Sequence, residues 1–106
     1  MTGTEKPNYD AACFHAQQCA EKYLKAYLQF KKDKFGKTHN LLELKKQCSK
    51  FDPAFELQHD ILYELNHYAV SFRYPGEGAV KSEAKRAVKA VKIIRDFVRE
   101  RLGLES

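Results

Sequence analysis

Apolar side chains recur at intervals of three and four residues along almost the whole chain, and they alternate at an interval of two nowhere for long. This period matches the turn of an α-helix, which places such residues on one face. The clearest stretch runs from Cys13 to Leu28, where apolar and polar side chains take opposite sides. The sequence therefore predicts an all-α fold.

The two sides of this first predicted helix differ in chemistry. The predicted buried side carries Ala16, Ala20, Tyr23, Leu24 and Tyr27. The polar side carries Gln18, Glu21, Lys22, Lys25 and Gln29. Two interpretations of the polar side remain open. It forms a wall that contacts a nucleotide or a partner helix, or it is a solvated face on which Glu21 and Lys25 make an ion pair one turn apart.

Four helices are predicted from the periodicity and from the residues at their ends. Their approximate bounds are Tyr9 to Lys32, Asn40 to Lys50, Asp52 to Arg73, and Ser82 to Leu102. Thr38 or Asn40 is the expected N-cap of the second helix, and Asp52 before Pro53 is the expected start of the third. Short connections between these helices predict an antiparallel up-and-down bundle.

The inner faces of the later helices follow from the same period. For the second helix they are Leu41, Leu44 and Cys48. For the third they are Phe55, Ile61, Leu62, Leu65, Ala69 and Phe72. For the fourth they are Ala84, Ala87, Val88, Val91, Ile94, Val98 and Leu102.

The length of 106 residues predicts a single domain over residues 9–102, with flexible ends at 1–8 and 103–106. Three cysteines without a C-x-x-C spacing predict neither a disulfide framework nor a zinc site. His15 and Cys19 lie one turn apart, but no second pair accompanies them, so no metal and no cofactor are expected. The cysteine usage favours a reducing cytoplasm, and because no segment has the apolar length of a membrane span, we expect no membrane partner.

A formal net charge of +5 favours anionic partners. A basic strip on the fourth helix contains Lys81, Lys85, Lys89, Lys92 and Arg99. It is either a phosphate-tracking surface or the solvated side of the helix. Glu83 and Asp96 dilute its charge, and no aromatic residue lies among the lysines for base stacking.

Three motifs occur in a recognisable order. They are Phe14-His15-Ala16-Gln17-Gln18 with its continuation to Leu28, then Thr38-His39-Asn40-Leu41, then Arg73-Tyr74-Pro75. In this order they resemble the prokaryotic HEPN domain family, of the type associated with nucleotidyltransferases. The resemblance covers about residues 9–102 and implies a helical bundle. Relatives commonly have another helix before the first motif, whereas this sequence has eight residues before Tyr9. An apolar groove that such a helix would cover is filled by a second copy of the protein, by another chain or by rearrangement, and of these we predict a homodimer.

Many HEPN proteins resemble one another in an arginine that is followed, after four to six residues, by a histidine, and act as metal-independent ribonucleases. This chain departs from that pattern, because its first arginine is Arg73 and its last histidine is His67. We therefore predict no catalytic residues. The alternative is a ribonuclease toxin in which Arg73 meets a histidine from elsewhere at a dimer interface.

The resemblance instead implies an accessory protein that binds nucleotide or RNA phosphate and works with a separately encoded nucleotidyltransferase, as in a toxin and antitoxin pair. The candidate binding residues are Arg73, Tyr74, Gln18, Lys22, Lys25 and His39. Arg73 and Tyr74 offer a forked cation and a stacking ring, or else they only end the third helix. His39 lies at a helix start that receives anions, or else it only caps and packs. A purely structural interaction module is a third alternative.

Overall fold

The protein is represented by a computed structural model that describes residues 9–70 and 81–103. Its helices are α1 (Tyr9–Phe30), α2 (Leu41–Ser49), a 3-10 helix (Pro53–Gln58), α3 (His59–Val70) and α4 (Lys81–Arg101). No strand occurs within those two ranges. The predicted all-α fold of four α-helices is confirmed. Phe72, Arg73 and Tyr74, together with the side chain of Ala69, lie outside what the structure describes.

Helix α1 ends at Phe30, two residues before the predicted end at Lys32. The chain leaves the helix because Lys32 adopts a positive φ of 58°, and the amide of Asp33 donates to the carbonyl of Leu28. Gly36 lies in the following loop with a φ of 63°. The helix therefore ends at a lysine whose backbone is in the left-handed region, where sequence rules expect glycine.

Of the two residues expected to cap α2, Asn40 is the N-cap, and Asp52 is confirmed as the N-cap that begins the third helical segment. Asn40 has an extended backbone, and its side chain accepts from the amides of Leu42 and Glu43. Asp52 accepts from the amide of Ala54 at 3.0 Å, and Pro53 follows at the first helical position. The prediction of one continuous α-helix after Asp52 was wrong, since the first six residues form the tighter 3-10 helix.

The order of the helices departs from strict up-and-down alternation between α1 and α2. The loop after α1 runs back along it, so that the carbonyl of His39 meets Gln17, and α2 then proceeds until the Cys48 thiol meets the carbonyl of Leu24. Helices α1 and α2 thus progress in the same general direction. Helix α3 returns in the opposite direction, because Asn66 near its end contacts Leu41 at the start of α2.

The core is continuous through all four helices. Its centre is Phe55, fully buried, whose ring lies 4.6 Å from Tyr27 and 4.9 Å from Phe97 between centroids. The predicted inner residues Phe55, Leu62 and Leu65 are buried, as are those named for α2. Val88 was wrongly placed inside, since it is 40% exposed and Ala90 is buried instead. Val88 lies about 100° around α4 from the centre of the buried stripe.

One lysine lies inside the fold. Lys45 on α2 is 7% exposed, and its ammonium donates to Glu56 Oε1 at 2.8 Å and to His59 Nδ1 at 3.0 Å. The hydrogen bond from Lys45 lowers the pKa of Glu56. This cluster connects α2 to the 3-10 helix and to α3. None of the helices over 9–70 and 81–103 is both long and apolar enough to cross a membrane.

Candidate functional site

A cleft lined mostly by polar residues lies where α1, the segment before α2, and α3 meet. Its volume is about 470 Å³. Among the described residues, those that line it are Phe14, Gln17, Gln18, Glu21, His39, Asn40 and Asn66. The α1 members are spaced at i, i+3, i+4 and i+7, which places them on one face of the helix. One face of α1 therefore forms one side of the cleft.

Glu21 is the electrostatic centre of the cleft. Its Oε2 atom accepts from Lys25 Nζ at 2.8 Å and from His39 Nδ1 at 2.9 Å, and 13% of its side chain is exposed. Burial alone raises the pKa of this carboxyl, but the hydrogen bonds from Lys25 and His39 outweigh it and lower the pKa. Glu21 is thus an anion that fixes one nitrogen of the His39 ring, whose side chain is otherwise 79% exposed.

Four carboxamides, those of Gln17, Gln18, Asn40 and Asn66, also line the cleft, and three of them are held by hydrogen bonds within the protein. Gln17, 2% exposed, donates through Nε2 to the carbonyl of His39 at 3.2 Å. Asn66 Oδ1 accepts from the amide of Leu41 at 2.9 Å, and Asn66 Nδ2 lies 3.4 Å from Asn40 Oδ1. Because these contacts connect α1, α2 and α3, the wall is built before any ligand arrives.

Local side-chain hydrogen bonds fix the conformation of the segment before α2. Thr38 Oγ1 accepts from the amide of Asn40 at 3.1 Å and donates to Glu43 Oε2 at 2.7 Å. Threonine and asparagine favour this local turn and cap geometry because their short side chains reach nearby backbone groups. His39 is therefore presented between two residues whose conformations are fixed.

The structure brings two of the predicted site residues into the cleft and leaves others outside it. Gln18 and His39 line the cleft, and Lys25 reaches its edge through Glu21. Lys22 is exposed and is absent from the described lining. The contact at 2.8 Å confirms the Glu21 to Lys25 ion pair that the helical spacing offered. Arg73 and Tyr74 fall outside the described residues, so their roles stay predictions.

Sequence reasoning missed Phe14, Gln17 and Asn66 as parts of the cleft. The spacing of Phe14, Gln17, Gln18 and Glu21 contains the signal for the α1 side. Asn66 has no such signal, since its contact with the start of α2 depends on the return of α3.

The predicted basic strip lies away from the cleft. Lys81, Lys85, Lys89 and Lys92 border a separate groove on α4, and its floor includes Tyr9, Ala12 and Val88. Within the parts of the chain that the structure describes, no three His, Cys, Asp or Glu side chains are grouped so that they can hold a metal ion.

Comparison with protein families gives one finding. A sequence model described as the HEPN domain matches residues 3–101. This chain belongs to the HEPN domain family. No curated protein and no solved structure gives a significant match to it. Membership of the HEPN family supports a role related to nucleotides or RNA in general. The resemblance to the HEPN family that was inferred from the three sequence motifs is confirmed.

Proposed function

We propose that this HEPN protein binds a nucleotide or a nucleotide unit of RNA in the cleft between α1 and α3. In this proposal it is an accessory protein that performs no reaction itself and works with a separately encoded nucleotidyltransferase, in a system of the toxin and antitoxin type. The proposal includes self-association as a homodimer. The cleft is the single observation on which the proposal of nucleotide binding rests.

Several features of the cleft support binding over cleavage. Its wall offers hydrogen-bonding amides that are already fixed, beside the exposed ring of Phe14. Among the described lining residues His39 is the one histidine, and it is engaged by Glu21. No arginine is among those lining residues to hold charge that develops on a phosphate. The sequence also lacks the arginine and histidine spacing of the ribonuclease members.

The test is a titration of the purified protein with a mixture of nucleoside monophosphates and with single-stranded RNA at low salt. Saturable binding is expected, and Gln18→Ala weakens it about tenfold. The matched control is Gln29→Ala, since Gln29 is also exposed on α1 but does not line the cleft. Equal affinities for the two variants contradict the proposal.

The same preparation is incubated with RNA to test the alternative. An accessory protein leaves the RNA intact, whereas a ribonuclease toxin cleaves it, and cleavage that disappears in Arg73→Ala refutes the accessory role. Absence of both binding and cleavage, even at low salt where phosphate contacts are strongest, favours the interaction module.

A further inference from the structure

The lysine-bordered groove on α4 has a floor that is mainly apolar. The groove lies between α4 and the beginning of α1, and its volume is about 530 Å³. Its floor is formed by Tyr9, Ala12, Ala84 and Val88. Apolar surface of this kind is removed from water only when another group occupies the groove, so the floor favours an apolar occupant.

Lysines form one edge of this groove and repeat along α4. Their spacing is i, i+4, i+8 and i+11, over Lys81, Lys85, Lys89 and Lys92. These positions share one face of the helix and extend along about 17 Å, which is three turns. Within residues 9–70 and 81–103, no ion pair involves any of the four. Neighbouring like charges on one helix face repel, so a partner with a row of anions stabilises this edge.

An α-helix with an acidic edge matches both features of the groove. Side chains four residues apart on a helix are separated by about 6 Å along its axis, so carboxylates at this spacing lie opposite the α4 lysines when the two helices align. Apolar side chains beside those carboxylates enter the groove, as in other complexes in which an amphipathic helix binds a groove. We infer that the groove binds an acidic amphipathic helix of about three turns from a different protein. This inference goes beyond nucleotide binding in the cleft and does not depend on it.

The charges of this chain argue against the chain itself as the occupant. Two-fold pairing of the groove with the same groove of a second copy brings two rows of lysines together, which is unfavourable. Glu56 on the 3-10 helix and Glu64 on α3 already make ion pairs within the chain, so a second copy does not offer them as a free row. In the sequence, residues 1–8 and 71–80 each contain one acidic and one basic side chain, and neither segment supplies a row of anions.

Other anionic ligands match only part of the groove. RNA phosphates pair with lysines, but a strand that follows them leaves Ala84 and Val88 without an apolar partner. A flat anionic bilayer does not reach a concave floor, since proteins that lie on membranes insert a projecting apolar face. A helix covers the floor and the edge together.

The test uses a fluorescent peptide of about four turns that is held helical by a side-chain staple. It carries glutamates at i, i+4, i+8 and i+11 and leucines at i+3, i+7 and i+10. Fluorescence anisotropy is expected to show saturable binding of this peptide and none of a peptide with lysines in place of the glutamates. Lys85→Ser, Lys89→Ser weakens the binding about tenfold, because two exposed charge pairs are lost. The matched control Lys46→Ser, Lys50→Ser changes two exposed lysines at the end of α2 and leaves the affinity unchanged.

A second set of variants tests the floor and excludes misfolding. Val88→Ser is expected to weaken the binding about fivefold, because less apolar surface is buried. Ile93→Ser is the control, since Ile93 is 41% exposed on the same helix and lies outside the described lining. The reversed pair Lys85→Glu, Lys89→Glu is expected to bind the lysine peptide in preference to the acidic one, a gain that an unfolded variant does not show.

Absence of saturable binding to the acidic peptide overturns the inference. Equal affinities in the Val88 and Ile93 variants also overturn it, since they indicate nonspecific attraction between charges. Failure of the peptide together with RNA binding that the double serine variant at Lys85 and Lys89 abolishes assigns the groove to RNA. A homodimer that dissociates in Val88→Ser but not in Ile93→Ser assigns the groove to a second copy, and this too refutes the inference. Nucleotide binding is measured separately, so failure of the proposed function changes none of these outcomes.

Discussion

Glu21 makes the stability of the cleft depend on pH. The pKa of Glu21 is below its ordinary value of 4.5 in the folded protein, so the native state favours the ionised carboxylate. Its contribution is complete above that ordinary value and disappears as the pH falls through the lowered pKa. Glu21→Gln is therefore expected to destabilise the protein at pH 7, and its difference from the natural protein narrows below pH of about 4.5.

Urea unfolding at a series of pH values measures this effect of Glu21. Asp60→Asn is the control, since Asp60 is an exposed carboxylate on α3 outside the described cleft lining. A Glu21→Gln deficit that stays constant from pH 7 to pH 3 contradicts the assignment of Glu21 as the paired anion.

Lys45 tests whether its charge or its hydrocarbon stem stabilises the fold. Its partners Glu56 and His59 are both exposed, so they recover hydration when the ammonium is removed. Lys45→Met keeps the buried stem and is expected to change the free energy of unfolding by less than about 1 kcal/mol. Lys45→Ala loses the stem and costs about 2 kcal/mol.

Chemical denaturation of both Lys45 variants, beside Lys46→Ala at an exposed position on the same helix, measures the difference. Equal losses for the methionine and alanine variants at position 45 show instead that the charge contacts dominate. A buried lysine was not predictable from the sequence, because lysine is rarely buried and its two partners come from two other elements, the 3-10 helix and α3.

At the scale of the helices, the sequence predicts what depends on neighbouring residues. Asn40 and Asp52 were identifiable as caps because a side chain two or three residues away satisfies the first amides. The division between the 3-10 helix and α3 was not identifiable, since both conformations use the same residues after Asp52-Pro53. The prediction that Val88 is buried was wrong for a related reason. The burial of a residue at the edge of the apolar face of α4 depends on which neighbouring element packs there.

Asn40 is both the N-cap of α2 and a lining residue of the cleft. Its contribution to stability is measured separately from binding. Asn40→Ala removes the acceptor for the amides of Leu42 and Glu43 and is expected to cost about 1 kcal/mol. Asn40→Asp keeps an acceptor at the same position and retains the stability. Thermal unfolding of the two variants checks this, and an aspartate variant as unstable as the alanine variant contradicts the capping role.

Residues from distant parts of the sequence meet only in the complete molecule. The α1 side of the cleft follows from helical spacing, but the contact of His39 with Glu21 depends on the loop that runs back along α1, and that of Asn66 with Leu41 depends on the return of α3. No local pattern encodes these two paths of the chain. The sequence therefore predicts which residue types a site contains more readily than which of them meet.

Self-association is expected to involve the exposed apolar residues of the 3-10 helix and α3. Leu57 is 79% exposed and Tyr63 is 60% exposed, which marks a surface suited to another chain. Sedimentation analysis is expected to show a homodimer that dissociates about tenfold more readily in the double variant Leu57→Ser, Tyr63→Ser. Phe30→Ser, at a 56% exposed residue at the end of α1, is the control, and a monomer in the unchanged protein refutes the dimer.

The cleft and the lysine-bordered groove on α4 should act independently. The lysines on α4 border a groove with Tyr9 and Val88, whereas the cleft lies on the α1 face that carries Phe14 and Gln18. The double variant Lys85→Ser, Lys89→Ser is therefore expected to leave the affinity for AMP unchanged.

If RNA also follows the α4 lysines, the same double variant weakens RNA binding. It reduces the slope of log affinity against log salt by about 1.4, since each phosphate contact on a single strand contributes about 0.7. Filter binding at several salt concentrations measures the slope. A loss of AMP affinity in this variant shows that the two surfaces form one site, whereas an unchanged RNA slope shows that RNA does not follow the α4 lysines.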